Sequence, residues 1–284
     1  MSNAESDINW IFKTDALKIA PADAMCWYTS GRLGPYYINT HFLCGGEKTA
    51  IDILDFITAE ASNTVSFIPA LEQKLTAVYE QHQIYRAVID QMASLIKSCC
   101  AENNIQYISG GQRRDWFFSP MIAKVLNLPH LYIYNDLSVF DAAGQPVSNL
   151  ESANVINVAD LLNTASSFTE KWQSAISKLN STLVAAAAAV DRNEGGVENL
   201  QSSGVAHCIN LFTINKDFFD AALEENLVTE QQHKLLINYI DAPKQAMDKW
   251  RHENPDYVQQ CLESDQPKTR ERAQKFLDLN RITN

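Results

Sequence analysis

The chain has 284 residues, 46% of them hydrophobic and 20% charged, and a net charge of −11. This composition is globular, and its acidity argues against non-specific binding to nucleic acid or to an anionic membrane. No apolar run approaches the roughly 18 residues of a membrane helix, and MSNAESDINW lacks the basic and apolar regions of a secretory signal, so a cytoplasmic protein is expected.

Residues 1–6, whose Ser-Asn-Ala suits a cloning remnant as well as native sequence, carry no fold expectation. Residues 7–20 (DINWIFKTDALKIA) predict a helix, with Trp10, Ile11, Leu17 and Ala20 on one stripe. The stretch 27–43 holds Gly31, Gly34 and Pro35 before the β-formers Tyr37 and Ile38, which predicts a turn at 30–35 and then a strand. Residues 47–101 lack glycine and carry apolar residues at spacings of three and four, which predicts a long helical segment. Cys99 and Cys100 within it read as helix packing. The six cysteines, at 26, 44, 99, 100, 208 and 261, contain no C-x-x-C pair and suit reduced thiols better than disulfides or a zinc site.

From 105 to 191 short apolar runs alternate with helical stretches: IQYIS (105–109), a helix through Met121 and Leu126, LYIY (131–134), NVINV (154–158), a helix from about 166, and VAAAAAV (184–190). Strands this apolar are covered on both faces, so the rhythm predicts an α/β fold with a mostly parallel sheet. Such sheets bind ligands beyond the carboxyl ends of their strands, here 110–115, 135–146, 159–167 and 191–196. The alanine run by propensity favours a helix. Past residue 222, TEQQHKLLINYI, APKQAMDKW and TRERAQKFLDLN predict about three amphipathic helices separated by Pro243, Pro255 and Pro267.

Three blocks resemble orotate phosphoribosyltransferases, of the type I phosphoribosyltransferase family. They are Ser30-Gly31-Arg32-Leu33-Gly34-Pro35-Tyr36-Tyr37-Ile38-Asn39; Asn154 to Ser167, at the place of the family's phosphoribosyl-diphosphate motif; and Val190-Asp191-Arg192-Asn193-Glu194-Gly195-Gly196-Val197-Glu198-Asn199-Leu200. The resemblance spans about residues 25–220 and makes 184–190 a strand. It implies a phosphoribosyltransferase-like domain over 7–222, including the helical segment 47–101, with a helical C-terminal extension over 223–284. It also implies a homodimer, magnesium, and phosphoribosyl diphosphate as co-substrate.

Residue by residue, the resemblance gives Asn163, Thr164, Ala165, Ser166 and Ser167 to the sugar phosphate, for which backbone N–H groups at a helix N-terminus and hydroxyl donors are suited. By composition alone the same run reads as a helix N-cap. Asp160 would accept from ribose hydroxyls as the catalytic carboxylate, or else is a cap or surface acid. Gly111, Arg113 and Arg114 would cradle the diphosphate, or the arginines would pair with Asp115. Arg192 would fork onto a base carboxylate, or form a surface ion pair. Tyr37 would pack near the base, or in a core.

Four positions depart from the family pattern. Its twin acids become Ala159-Asp160, a loop glycine becomes Ala165, and a lysine becomes Thr29. Its cation-rich catalytic loop corresponds to Tyr134–Asp141, which holds no cation. Two functions therefore stand: an active transferase acting on orotate or a related base, and a non-catalytic nucleotide- or phosphoribosyl-diphosphate-binding sensor or partner subunit.

Overall fold

The computed structural model describes residues 7–21, 23–28 and 31–282; Thr29 and Ser30 lie outside them. A short helix α1 (Asn9–Lys13) precedes four short strands, β1 (Leu17–Ile19), β2 (Cys26–Trp27), β3 (Leu33–Gly34) and β4 (Tyr36–Ile38). After a 3-10 turn at Thr40–Leu43 come α2 (Glu47–Glu60), α3 (Thr64–Gln81) and α4 (Gln83–Glu102). The alternating stretch forms β5 (Ile105–Gly111), α5 (Ser119–Leu126), β6 (His130–Ile133), β7 (Val139–Phe140), β8 (Asn154–Leu162), α6 (Gln173–Lys178), β9 (Thr182–Asp191), α7 (Gly196–Ser202) and β10 (His207–Thr213). A π-helical turn, Phe168–Trp172, leads directly into α6. Helices α8 (Lys216–Glu224), α9 (Glu230–Asp241), α10 (Pro243–Glu253), α11 (Tyr257–Leu262) and α12 (Pro267–Ile282) follow.

The chain forms two compact units, one of Met1–Ala16 with Thr40–Ile214 and one of Leu17–Asn39 with Asn215–Asn284. The first unit carries a six-stranded sheet in the order β10-β9-β8-β5-β6-β7. Its pairs are parallel except the edge pair β6–β7. This is the expected α/β class.

The alanine run shows why a poor strand former sits mid-sheet. Ala186 and Ala188 join an apolar cluster with Trp172, Ala175 and Ile176 from the π-turn and α6. Strand alternation turns Ala185, Ala187 and Ala189 the other way, and α4 packs against β9 as well. All five alanines are almost fully buried. Small side chains let helices approach a central strand closely from both faces, and tertiary packing overrides helix propensity.

Three local expectations change. The helix expected over 7–20 stops at Lys13; Asp15 turns to φ 56°, and Leu17–Ile19 pair antiparallel with Tyr36–Ile38. Gly110 and Gly111 end β5 instead of following it, and β8 runs on through Ala159–Leu162. Past 222 the described residues hold four helices, α9 to α12, where about three are expected: Pro243 and Pro267 open α10 and α12, and the short α11 after Pro255 is the addition.

In the second unit Trp27 organises a small aromatic core. Its indole Nε1 donates to Cys261 Sγ at 3.2 Å, and its ring meets Tyr257 and Phe276 with centroids 6.3 and 5.6 Å away. The Arg272 guanidinium donates to the Trp27 carbonyl at 2.7 Å. No helix among the described residues is long and apolar enough to cross a membrane.

His130 is buried in the first unit, 2.9 Å from Ser119 Oγ, and burial pulls its pKa down to about 3. The unfolded chain therefore binds a proton below about pH 6.5 that the folded chain refuses, and stability is lost as pH falls. The unfolding free energy of the wild type minus that of His130→Asn should shrink by about 2–3 kcal/mol between pH 6.5 and 4.5, read from urea titrations at each pH.

Candidate functional site

Two strand ends build the site. At the end of β5, the turn Gln112-Arg113-Arg114 leads into a 3-10 turn at Asp115–Phe117. Asp115 Oδ2 accepts the Gly111 N–H at 2.9 Å, and its Oδ1 accepts the Asp160 N–H, from β8, at 3.1 Å. Trp116 Nε1 donates to the Gly110 carbonyl at 2.8 Å. A Cβ on Gly111 would lie 2.1 Å from the Trp172 ring, so only glycine admits the indole here. Arg113 and Arg114 are exposed, and Arg113 Nη1 donates to Thr58 Oγ1 of α2 at 2.7 Å.

At the end of β8, the chain bends at Asn163 and Thr164 and passes through Ala165 at φ 60°. A non-glycine residue there costs about 1–2 kcal/mol. Helical structure starts at Ser166, and Thr169 N–H is bonded back to the Ala165 carbonyl at 3.1 Å. The amides of Ser166, Ser167 and Phe168 therefore belong to the first turn, whose donors have no partner within the helix. Buried Phe168 and Trp172 anchor that turn in the core. From β9 onward, Asn199 Nδ2 donates to the Thr164 carbonyl at 3.0 Å, and Gly196 lies so close that a Cβ would sit 2.3 Å from the Asn163 carbonyl oxygen.

The two ends face one cavity of about 360 Å³, lined by Gln112 to Asp115 and by Ala159 to Leu161 and Asn163 to Phe168, with Trp172. The structure thus brings together Asp160, Asn163–Ser167, Arg113 and Arg114, with Gly111 directly beneath the turn. Asp160 is buried, and Thr40 Oγ1 donates to its Oδ2. Burial raises its pKa, against the opposing pull of the Thr40 hydroxyl, Arg114 and Asp115. Burial, and then the neighbouring Asp160 charge, holds Asp115 well above the ordinary carboxyl range.

Arg192 and Tyr37 are not among the residues that line this cavity. Arg192, at the end of β9, forms an ion pair with Glu194 at 3.0 Å. Tyr37 belongs to the second unit, where its ring centroid is 6.1 Å from that of Tyr28. Asp115 pairs with Asp160; among the described residues no ion pair joins it to Arg113 or Arg114. The cation-free stretch 134–141 is a tight hairpin closed by Tyr134 N–H to Ser138 O at 2.9 Å, with Leu137 at φ 70°. Sequence reading missed Asp115 and Thr40 as partners of Asp160. The acid in the GGQRRDW block was the signal available for Asp115; nothing local marked Thr40.

No protein-family model matches the sequence. An orotate phosphoribosyltransferase from Sulfolobus acidocaldarius is 25% identical over 160 residues, 55% of this chain and 76% of that protein. The structure of Leishmania donovani UMP synthase superposes with a TM-score of 0.54 at 13% identity, over 82% of this chain and 41% of that one. The chain is thus similar in sequence to an orotate phosphoribosyltransferase and has the type I phosphoribosyltransferase fold. It spans less than half of the UMP synthase it matches. The orotate phosphoribosyltransferase of Aeropyrum pernix, 18% identical, is covered over 97% of its length at a TM-score of 0.47.

First-turn amides at a helix start attract anions, as the sequence reading expects of this loop. Millimolar phosphate should shift the amide resonances of residues 164–168. Gly196→Ala, which drives a methyl into the Asn163 carbonyl, should destabilise the fold by about 1–3 kcal/mol and weaken that binding. Amides that stay unmoved by phosphate would contradict this.

Proposed function

We propose that this orotate-phosphoribosyltransferase-like protein transfers phosphoribose from phosphoribosyl diphosphate to orotate or a related base. The observation that carries the reading is the single cavity that joins the Gln112–Arg114 turn to the Asn163–Ser167 loop. The 25%-identical relative supports it. In this reading the 5′-phosphate takes the first-turn amides of Ser166–Phe168 and the hydroxyls of Thr164, Ser166 and Ser167. Arg113 and Arg114 take the diphosphate, stabilising charge as it departs, and Asp160 faces the ribose. Arg192 would meet a carboxylated base only by sharing its guanidinium with Glu194.

Magnesium enters the proposal only as part of the substrate. Among the described residues no group of three His, Cys, Asp or Glu side chains could hold a metal, and the carboxyls of Asp115 and Asp160 are buried against each other. These residues do not fit a protein-held ion; one carried by diphosphate oxygens needs no such cage. The homodimer and the cytoplasmic location belong to the same proposal, as does a C-terminal extension over 223–284.

The hairpin at 134–141 favours a second reading, a non-catalytic binding protein. Each missing cationic or hydrogen-bonding donor to a developing charge costs roughly 3–4 kcal/mol of catalysis. Ala159 is buried in the apolar cluster that also holds Ala165, Phe168 and Trp172, so Ala159→Asp would set its carboxyl among apolar side chains.

Calorimetry with phosphoribosyl diphosphate and magnesium, followed by an orotate turnover assay, tests the proposal. The expected outcome is clear binding with turnover well below the roughly 10 per second usual for enzymes. Binding without turnover on any base selects the second reading, and no binding refutes both. Arg192→Ala should weaken orotate by about 10- to 150-fold and leave phosphoribosyl diphosphate unchanged. Equal weakening of the two would make Arg192 structural.

A further inference from the structure

Successive residues of a strand face opposite ways, so Ala159 and Asp160 are not interchangeable positions. Ala159 is buried in the apolar cluster that also holds Ala165, Phe168 and Trp172, while Asp160 meets a second carboxyl that arrives from 45 residues earlier in the chain. That carboxyl is Asp115. Both its oxygens accept backbone N–H groups, from Gly111 and from Asp160 itself, so the two buried carboxyl groups are brought together, and the Asp160 charge adds to burial in raising the Asp115 pKa. Thr40 Oγ1 donates to Asp160 Oδ2 from a third element. Ionised carboxylates only accept hydrogen bonds, so two buried together repel each other unless a proton lies between them.

We propose that Asp115 and Asp160 form a single acid dyad sharing one proton, which serves the ribose of a phosphoribosyl ligand in place of the adjacent acids the family resemblance implies at 159–160. The proposal rests on the phosphoribosyl-diphosphate reading above and deepens it. Asp115 is a positioning residue: it fixes the height and charge of Asp160 and need not touch the ligand. The charged and titratable groups around the dyad are Arg114, on the same turn, and His41, next to Thr40 and held neutral by burial and then by that guanidinium. Arg113 and Arg114 are the cations lining the cavity. A dyad carrying one negative charge instead of two leaves more of their field for phosphates. As pH rises and the shared proton leaves, a second negative charge appears beside the phosphates, and ligand affinity must fall.

Two measurements on the full chain test this. The first is infrared spectroscopy of the ligand-free protein in heavy water at pH 5 to 9, on wild type, Asp115→Asn, Asp160→Asn and, as controls, Glu72→Gln and Asp191→Asn. Glu72, half-buried, and Asp191, buried, are other acids whose pKa burial raises. A protonated-carboxyl band at pH 7 that survives both control substitutions and disappears in both Asp115→Asn and Asp160→Asn is expected. A band unchanged in either aspartate variant, or missing from wild type, overturns the dyad. Because an asparagine at 115 offers one acceptor to two amides and can misfold, Asp160→Asn, which leaves both of those bonds in place, keeps the test decisive.

The second is calorimetry with phosphoribosyl diphosphate and with inorganic phosphate over the same pH range. Asp160→Asn should weaken the first by about tenfold or more, leave the second within about twofold, and flatten the fall in affinity above neutral pH. Equal weakening of both ligands, or an unaltered pH profile, overturns the ribose role. Wild type that binds phosphate but not phosphoribosyl diphosphate refutes the functional reading and the ribose role with it, while the infrared band still decides separately whether the proton is shared.

Discussion

Everything at the cavity depends on one side chain accepting two backbone N–H groups. Asp115 clips the turn after β5 to the end of β8 through Gly111 and Asp160. Without it two amides would be buried unpaired, at about 1–3 kcal/mol each. The clip sets where Arg113 and Arg114 leave the sheet and where the chain turns toward Ser166. It works because its surroundings are dry. Trp116 caps Gly110 from one side, and Trp172 presses on Gly111 from the other, where any side chain would collide.

Much of this fold could be read from the residues. The alternation of apolar runs with helical stretches gives the parallel sheet, and the glycine-free 47–101 gives α2 to α4, because both signals are local and strongly periodic. Residues 184–190 needed the family resemblance: five alanines carry no β signal of their own, and their state is decided by helices packing on both faces. The failure at 7–20 has the opposite origin. Leu17–Ile19 fit a helical stripe, but their partner Tyr36–Ile38 lies beyond any local window.

The cavity was legible as two stretches and illegible as a junction. Asn163–Ser167 and the paired arginines stand out by composition and position. The partner of Asp160 does not, since adjacency in sequence draws the eye to Ala159, while the strand turns that residue into the core and brings Asp115 alongside. Arg192 shows a similar limit. Its exit at a strand end was readable, but its engagement by Glu194, two residues on, depends on a loop that passes through Asn193 at φ 56° and Gly195 at φ 85°.

The second unit has a consequence for the order in which the protein can form. Leu17–Asn39 fold with Asn215–Asn284, and Trp27 finds its cysteine 234 positions later in the chain. During synthesis this early segment can form only its own short pairings, β1 with β4 and β2 with β3, until the helices after Asn215 have been made. Trp27 waits longest, because Tyr257, Cys261 and Phe276 all lie in α11 and α12. Shortening the chain before α11 would leave its indole without those partners, so loss of the C-terminal helices should register in the cell as degradation before it registers as altered chemistry.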